Sequence, residues 1–214
     1  MKKIFARCAL LALFACSIAF QTSYAAGPKK ALVVSFAYNE NIGDVSSWGV
    51  DALASASLGR SSQNTLDNIH VIVDEISHKR DADAFAIHTA EPYDPNYNVM
   101  RRRTSREYSD DARPALRESR VDNLAAYDVV FLVTPIWHGG LPQAIFTFLD
   151  ANDLSGKELV LTSIHLGSRL GKIPQQLRER YPGIRLADSY TISATARNDE
   201  VRRTLGEFLD GLKQ

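Results

Sequence analysis

The residues with the clearest chemical potential lie in the segment DVVFLVTPIWHGGLP, residues 128–142. Residues 129–133 are apolar and mostly β-branched, which predicts a strand buried on both faces of a parallel sheet. The segment breaks at Pro135, with Trp137 and His138 at the break, and ligands of open α/β sheets bind outside the carboxyl ends of strands. Trp137 is therefore either a platform for a flat aromatic ligand or a cap on the core beside a tight turn. His138 could exchange a proton near neutral pH.

Two further loops follow predicted strands and carry small polar residues. The first combines residues 35–41, which include a polar loop at 37–41, with residues 61–65. The hydroxyls and amides of residues 61–65 precede a predicted helix, where free N–H groups and the helix dipole favour an anion. In the alternative interpretation, Asn64 or Thr65 is an ordinary N-cap. The third loop, residues 163–169, contains His165, which either orients a ligand or is a solvated loop histidine.

Other kinds of site have less support in the sequence. No HExxH, CxxC or spaced carboxylate cluster indicates a metal, and no GxGxxG indicates a dedicated nicotinamide site. Ser163, His165 and Ser168 do not form the GxSxG elbow of hydrolases. The arginines at 101, 102, 103 and 106 could attract an acidic partner or a nucleotide phosphate, or could simply be a solvated helix face.

The elements that position these residues alternate between strand and helix. Apolar runs predict five strands, at 31–36, 85–88, 129–133, 157–164 and 186–193, and helical periodicity predicts helices at 66–76, 143–149, 173–180 and 199–212. Residues 91–120 form a long connection with a helical middle. This order predicts one α/β domain whose parallel sheet is covered by helices on both faces.

The first 25 residues have the pattern of a secretory signal peptide. Lys2, Lys3 and Arg7 precede an apolar stretch at 8–20, and small residues precede a cut after Ala25. There is no twin arginine, so we expect Sec-type export to the periplasm or beyond. Both cysteines lie in this stretch, and the bulky Phe14 argues against lipoprotein cleavage at Cys16. Residues 26–214 would then form a single cysteine-free domain.

Composition limits the partners of this domain. Of the 214 residues, 45% are apolar, as in a soluble globular protein. Cleavage lowers Lys+Arg from 25 to 22 while Asp+Glu stays at 25, so the mature charge is about −3. We therefore expect no nucleic-acid partner and no stable membrane insertion after signal cleavage.

Residues 31–195 resemble the flavodoxin-like family. YDVVFLVTPIWHGGLPQAIFTFLDANDLSGKELV is similar to its motif YDxIFLGxPIWWGxxPxxxxxFLExxDFSGK, and EPYDPNYN and DDARPAL resemble its YPxDYN and RPxL segments. QNT at 63–65 resembles the end of its phosphate loop, GNT, and TSIHLGSRLG resembles its third loop. The resemblance implies a three-layer sandwich with a five-stranded parallel sheet and helices on both faces.

The resemblance also implies FMN as cofactor and assigns residues to its parts. Ala37, Gln63, Asn64 and Thr65 would surround the phosphate, and Trp137 would lie against the isoalloxazine ring. The ring edges would meet Pro135, Ile136, His138, Gly139, Ser163, His165, Gly167 and Ser168. Four positions differ from the family pattern: Ala37 replaces serine, Gln63 and Thr134 replace glycine, and His138 replaces a second tryptophan.

Two hypotheses follow. In the first, the chain is an exported FMN protein that transfers electrons, or a quinone or NAD(P)H-type reductase, with a small-molecule or protein redox partner. If it is an enzyme, it is an FMN-dependent oxidoreductase, and His138 is its candidate proton donor or acceptor. In the second, it is a flavin-free binding module with the same fold. The oligomeric state is left open, with a homodimer as one option.

Overall fold

A computed structural model of the chain describes residues 29–43 and 68–212. The predicted signal peptide and the residues 63–65 lie outside these ranges. The strands are β1 (Ala31–Ser35), β2 (Asp83–Ala86), β3 (Val129–Pro135), β4 (Glu158–His165), β5 (Arg185–Leu186) and β6 (Tyr190–Ser193). The α-helices of the described residues are α1 (Asn68–Arg80), α2 (Tyr97–Ser109), α3 (Gln143–Ala151), α4 (Ile173–Arg180) and α5 (Asn198–Gly211), and a 3₁₀ turn spans Leu124–Ala126.

The strands form one parallel sheet in the order β2-β1-β3-β4-β5. Both β5 and β6 pair with β4, at opposite ends of it, so together they occupy the fifth position in the sheet. The predicted strand 186–193 is thus interrupted, because Asp188 and Ser189 are exposed and leave the ladder. Aspartate is depleted in strands, which accounts for the break. The predicted fold class is confirmed, with five strand positions and helices on both faces.

Each face of the sheet carries its own apolar core. On one face Leu132 and Leu161 pack with α3 and α4 around Phe146 and Leu177. On the other face the strands pack against α1 and α5, through side chains that include Val133, Ile72 and Leu205. Both faces of β1 and β3 are buried, and these two strands are accordingly nearly continuous apolar runs without polar alternation.

The connection at 91–120 contains the helical middle that the sequence predicts. Helix α2 begins after Asn96, whose side chain accepts hydrogen bonds from the N–H groups of Asn98 and Val99 and so caps the helix. The second strand is Asp83–Ala86, two residues earlier than predicted. Among the residues described, no helix is both long and apolar enough to cross a membrane.

Candidate functional site

The loops that follow β1, β3 and β4 lie at the same edge of the sheet. All strands are parallel, so their carboxyl ends share one edge, and the chain order reverses between β1 and β3. Open α/β sheets bind ligands in the crevice at such a reversal. The described parts of the loops after β1, β3 and β4 are thus positioned to form one site.

The loop after β3 is a tight two-residue turn. Trp137 and Gly140 exchange backbone hydrogen bonds of 3.0 and 2.9 Å, and they enclose His138 and Gly139. Both enclosed residues have positive φ, 50° and 80°, as a type I′ turn requires. Glycine adopts such angles freely, whereas histidine pays a conformational cost. The turn therefore holds His138 in a fixed place at the sheet edge.

The loops after β3 and β4 are joined through their backbones. The N–H of Lys172 donates to the carbonyl of Gly139 at 2.7 Å. Gly171, with φ of 51°, lies so close that a Cβ there would overlap the same Gly139 oxygen. A side-chain bond from the N–H of Leu141 to Gln176 (3.1 Å) adds a further connection. The two loops are therefore in direct contact through hydrogen bonds and close packing.

Trp137 belongs to the core at this edge. Its side chain is buried, with 8% of the residue exposed, and it makes edge-to-face contacts with three aromatic rings. The ring centroids of Phe36 and Tyr93 are each 5.2 Å away, and that of Tyr38 is 6.2 Å away. The structure places Trp137 as the cap on the core that the sequence left open as an alternative. Pro135 is also buried, and Ile136 beside it is half-buried.

His138 contacts helix α2, which the sequence did not connect to the site. Its Nε2 lies 2.9 Å from the hydroxyl of Thr104, and its ring lies 5.7 Å from the ring of Tyr108. Burial by these contacts lowers the pKa of His138 below its usual value, and the positive charge of Arg101 lowers that pKa further. The only sequence signal for α2 was the helical periodicity of residues 97–109, and periodicity does not indicate which loop a helix contacts.

The end of β4, which extends to His165, and the loop after it hold the other predicted residues. Ser163 is fully buried and donates to the carbonyl of Arg169 at 3.0 Å, so its hydroxyl is used within the loop. His165 is half-buried, and its Nδ1 accepts from the N–H of Gly167 at 3.0 Å. Burial, then the charge of Arg169, lowers the pKa of His165. Gly167 and Ser168 are exposed.

An apolar side chain stands out at the same loop. Leu166 is 58% exposed, the most exposed large hydrophobic residue in the described part of the chain. Next to it, Gly167 has open space where a Cβ would be, and so has Gly139 in the loop after β3. An exposed leucine beside uncovered backbone provides an apolar surface for a ligand.

The loop after β1 is held by one buried asparagine. Asn41 donates to the carbonyls of Ala37 and Ile87 at 2.8 and 2.9 Å and accepts from the N–H of Thr89 at 2.6 Å. Ala37 itself is fully buried in the core against α1 and α5, and its carbonyl accepts one of these bonds. Sequence reasoning placed Asn41 in a polar loop and did not find this clamp.

A carboxylate lies beside the same loop, between two histidines. The Oε1 of Glu40 is 2.8 Å from Nε2 of His70 on α1, and its Oε2 is 3.9 Å from Nε2 of His88 after β2. These three residues do not form a metal site, and residues 29–43 and 68–212 contain no other group of metal ligands.

Comparison with known proteins shows the class to which this fold and site belong. The flavodoxin family profile matches residues 63–207, which is more than half of the chain. The chain therefore belongs to the flavodoxin family. No curated protein sequence matches it.

Solved structures show the same fold. A candidate flavoprotein from Bacteroides eggerthii DSM 20697 is 23% identical with a TM-score of 0.61, covering 86% of this chain and 99% of that one. Another from Bacteroides uniformis ATCC 8492 is 21% identical with a TM-score of 0.63, covering 85% and 98%. A flavoprotein in complex with FMN from Lactobacillus acidophilus NCFM is 13% identical with a TM-score of 0.54, covering 76% and 93%.

Proposed function

We propose that this chain is an exported protein that binds FMN and transfers electrons through it. Membership of the flavodoxin family supports FMN as the cofactor that the sequence resemblance implies. The observation that carries the proposal is the sheet edge itself. Three loops meet where the strand order reverses. Gly139 and Gly167 in two of them have uncovered backbone, and Leu166, next to Gly167, is exposed.

The residues at this edge fit a flat, partly apolar ring. Leu166 and Ile136 would provide apolar contact, and Gly139 and Gly167 would allow the ring to approach the backbone. The phosphate would be held by Gln63, Asn64 and Thr65, which lie outside the described residues. FMN supplies the redox chemistry when bound, while the protein provides position, hydrogen bonds and exclusion of water.

His138 is the group proposed to hold or exchange a proton at this edge. Its lowered pKa keeps the imidazole neutral at pH 7, and a neutral imidazole can accept a proton. Because Nε2 is bonded to Thr104, the other ring nitrogen, Nδ1, is the atom left for exchange. His138→Gln should change the pH dependence of flavin reduction, and an identical profile would remove this role.

The first experiment is an absorbance spectrum of the mature protein purified from the periplasm, followed by titration of the apoprotein with FMN. Flavin bands near one per chain, or saturable quenching of FMN fluorescence, would support the proposal. Reduction by NADH, NADPH or a quinol would then separate a reductase from a carrier. N-terminal sequencing tests export separately, with Ala26 as the expected first residue.

One structural observation favours a second candidate, a flavin-free binding module. The buried side chains of Trp137 and Ala37 offer the site neither an open indole face nor a hydroxyl. A colourless protein whose intrinsic fluorescence does not respond to added FMN would support this second candidate and contradict the first.

A further inference from the structure

Helix α2 bears a group of arginines without ionic partners. Among the described residues, the carboxylates make no ion pair with Arg101, Arg102 or Arg106, and all three arginines are exposed. Arg103, on the other face of the helix, is by contrast bonded to Glu107 at 2.8 Å and lies over the ring of Tyr93. The helix thus uses one arginine for structure and leaves three charges unneutralised.

These three arginines lie together on one face. With Ser105 they line an open recess of about 310 Å³. Residues four apart on a helix face the same way, so position 101 neighbours 105 and position 102 neighbours 106, and these two pairs line the same recess. We call Arg101, Arg102 and Arg106 the α2 arginine face. Its charge of +3 contrasts with the expected charge of about −3 for the whole mature chain.

The α2 arginine face borders the candidate flavin site. The opposite side of the same helical turn presents Thr104, whose hydroxyl lies 2.9 Å from His138 in the loop after β3. Arg101 is near enough to that histidine for its charge to affect the imidazole. Of the three arginines, Arg101 is therefore next to the edge through which electrons would pass, and Arg102 and Arg106 line the same recess as Arg101.

We propose that the α2 arginine face is the docking surface for an acidic redox protein. This proposal rests on the proposed electron-transfer function. A row of guanidinium groups attracts carboxylates and steers an acidic partner, which raises association rates at low salt. The recess is wide open and spreads over two helical turns, so it suits a partner's acidic surface better than one enclosed phosphate. Its place beside His138 would bring the partner's redox centre close to the flavin.

The test compares two triple variants with the same change in net charge. R101Q/R102Q/R106Q removes the α2 arginine face, and R197Q/R202Q/R203Q removes three arginines at α5. Helix α5 packs on the opposite face of the sheet, and its three arginines are paired with Asp199, Glu75 and Glu207. Circular dichroism and urea denaturation establish that both variants fold.

The first readout needs no flavin. Binding of a fluorescent polyglutamate peptide is measured by anisotropy at low and high salt, with the apoprotein. We expect the α2 variant to bind about tenfold more weakly and the α5 variant to bind as the wild type does. Equal binding by both variants would overturn the proposal, whether or not the protein takes up FMN.

The second readout uses the FMN-loaded protein. The reduced protein gives one electron to ferricyanide, which becomes ferrocyanide, or to hexaammineruthenium(III), which becomes hexaammineruthenium(II). At low salt, we expect oxidation of the reduced protein by ferricyanide to be about tenfold slower in the α2 variant than in the wild type. We expect its oxidation by hexaammineruthenium(III) to be faster. Unchanged rates with both oxidants would contradict the placement beside the flavin.

NADPH and phosphatidylglycerol vesicles are tested as competitors of polyglutamate, to distinguish an acidic protein from a nucleotide or a membrane as the occupant of the α2 arginine face. If NADPH or phosphatidylglycerol vesicles bind the wild type more tightly than polyglutamate does, and lose binding in the α2 variant, the face belongs to a nucleotide or a membrane and the proposal fails. Failure to bind FMN would refute the proposed function and with it the redox role of the partner, whereas loss of polyglutamate binding in the α2 variant would still show that the α2 arginine face binds an acidic surface.

Discussion

At the scale of single residues, burial and then a neighbouring arginine lower the pKa values of the two histidines of the site. His138 lies near Arg101 and His165 near Arg169, and in each case burial comes first and the positive charge second among the causes that lower the pKa. A cation nearby disfavours the imidazolium form. Both histidines are therefore neutral near pH 7, although neither is fully buried.

Removing one arginine should raise the pKa of its own histidine only. Arg101→Gln should raise the pKa of His138 and leave that of His165 unchanged, while Arg169→Gln should do the reverse. The two variants control for each other, and an NMR titration of the ring protons measures both groups at once. A pKa shift of both histidines in either variant would show that the charges act through the whole site.

The same lowered pKa values predict how stability depends on pH. The unfolded chain binds protons at these histidines with a pKa of about 6.5, above the folded values. The unfolded state therefore takes up more protons as pH falls through 6.5, and the free energy of unfolding decreases. The effect should be small because both rings are partly solvated. A H138Q/H165Q variant should show a flatter stability curve between pH 7 and 5 in urea denaturation.

Gly171 and Gly139 make a matched pair for testing backbone strain. Both have positive φ, but a Cβ at Gly171 would overlap the carbonyl oxygen of Gly139, whereas a Cβ at Gly139 meets nothing within 4 Å. Gly139→Ala should cost about 1 kcal/mol of stability, from the left-handed backbone alone. Gly171→Ala should cost clearly more, about 3 kcal/mol, because backbone must also move. Equal losses in chemical denaturation would show that the two loops are not in contact.

At the scale of elements, the side chain of Asn41 connects the loop after β1 to the segment after β2. Asn41→Ala would leave the N–H of Thr89 and the carbonyls of Ala37 and Ile87 without their buried partner. We expect a loss of about 2–4 kcal/mol of stability together with weaker FMN binding, because this loop borders the site.

Asn152 offers a matched control at the opposite end of the sheet. It accepts from the N–H of Val121 and donates to the carbonyls of Ser119 and Phe148, with similar burial. Asn152→Ala should lower stability by a similar amount while the dissociation constant for FMN stays the same. Equal weakening of FMN binding in both variants would assign the effect to general stability.

The elements that the sequence predicts best are those whose signal is local. Helix α4 was predicted with its observed bounds, Ile173–Arg180, because periodicity and the following Pro182-Gly183 define both ends. The position of α2 was not predicted, since its contacts with His138 join residues that are distant in sequence. The burial of Trp137 was likewise open, because three aromatic rings from other segments enclose it. The Asn41 clamp also depends on a partner strand that pattern alone does not identify.

At the scale of the whole molecule, FMN binding should be visible as added stability. A ligand that binds only the folded state raises the free energy of unfolding by about 2.7 kcal/mol at 100 times its dissociation constant. At the same concentration, riboflavin, which lacks the phosphate, should raise the free energy of unfolding by less than FMN does. The difference measures the contribution assigned to Gln63, Asn64 and Thr65. Equal stabilisation by both compounds would remove the phosphate role from these residues.

The joined loops after β3 and β4 also limit how this sequence can be recombined with relatives. A chimera that takes residues 136–140 from a relative but keeps its own residues 167–172 combines a turn and a glycine from two different proteins. Any residue larger than glycine at position 171 would collide with the incoming Gly139 carbonyl. Exchange of both loops as one cassette keeps the Lys172 to Gly139 hydrogen bond. We therefore expect substitutions in the two segments to occur together among related sequences.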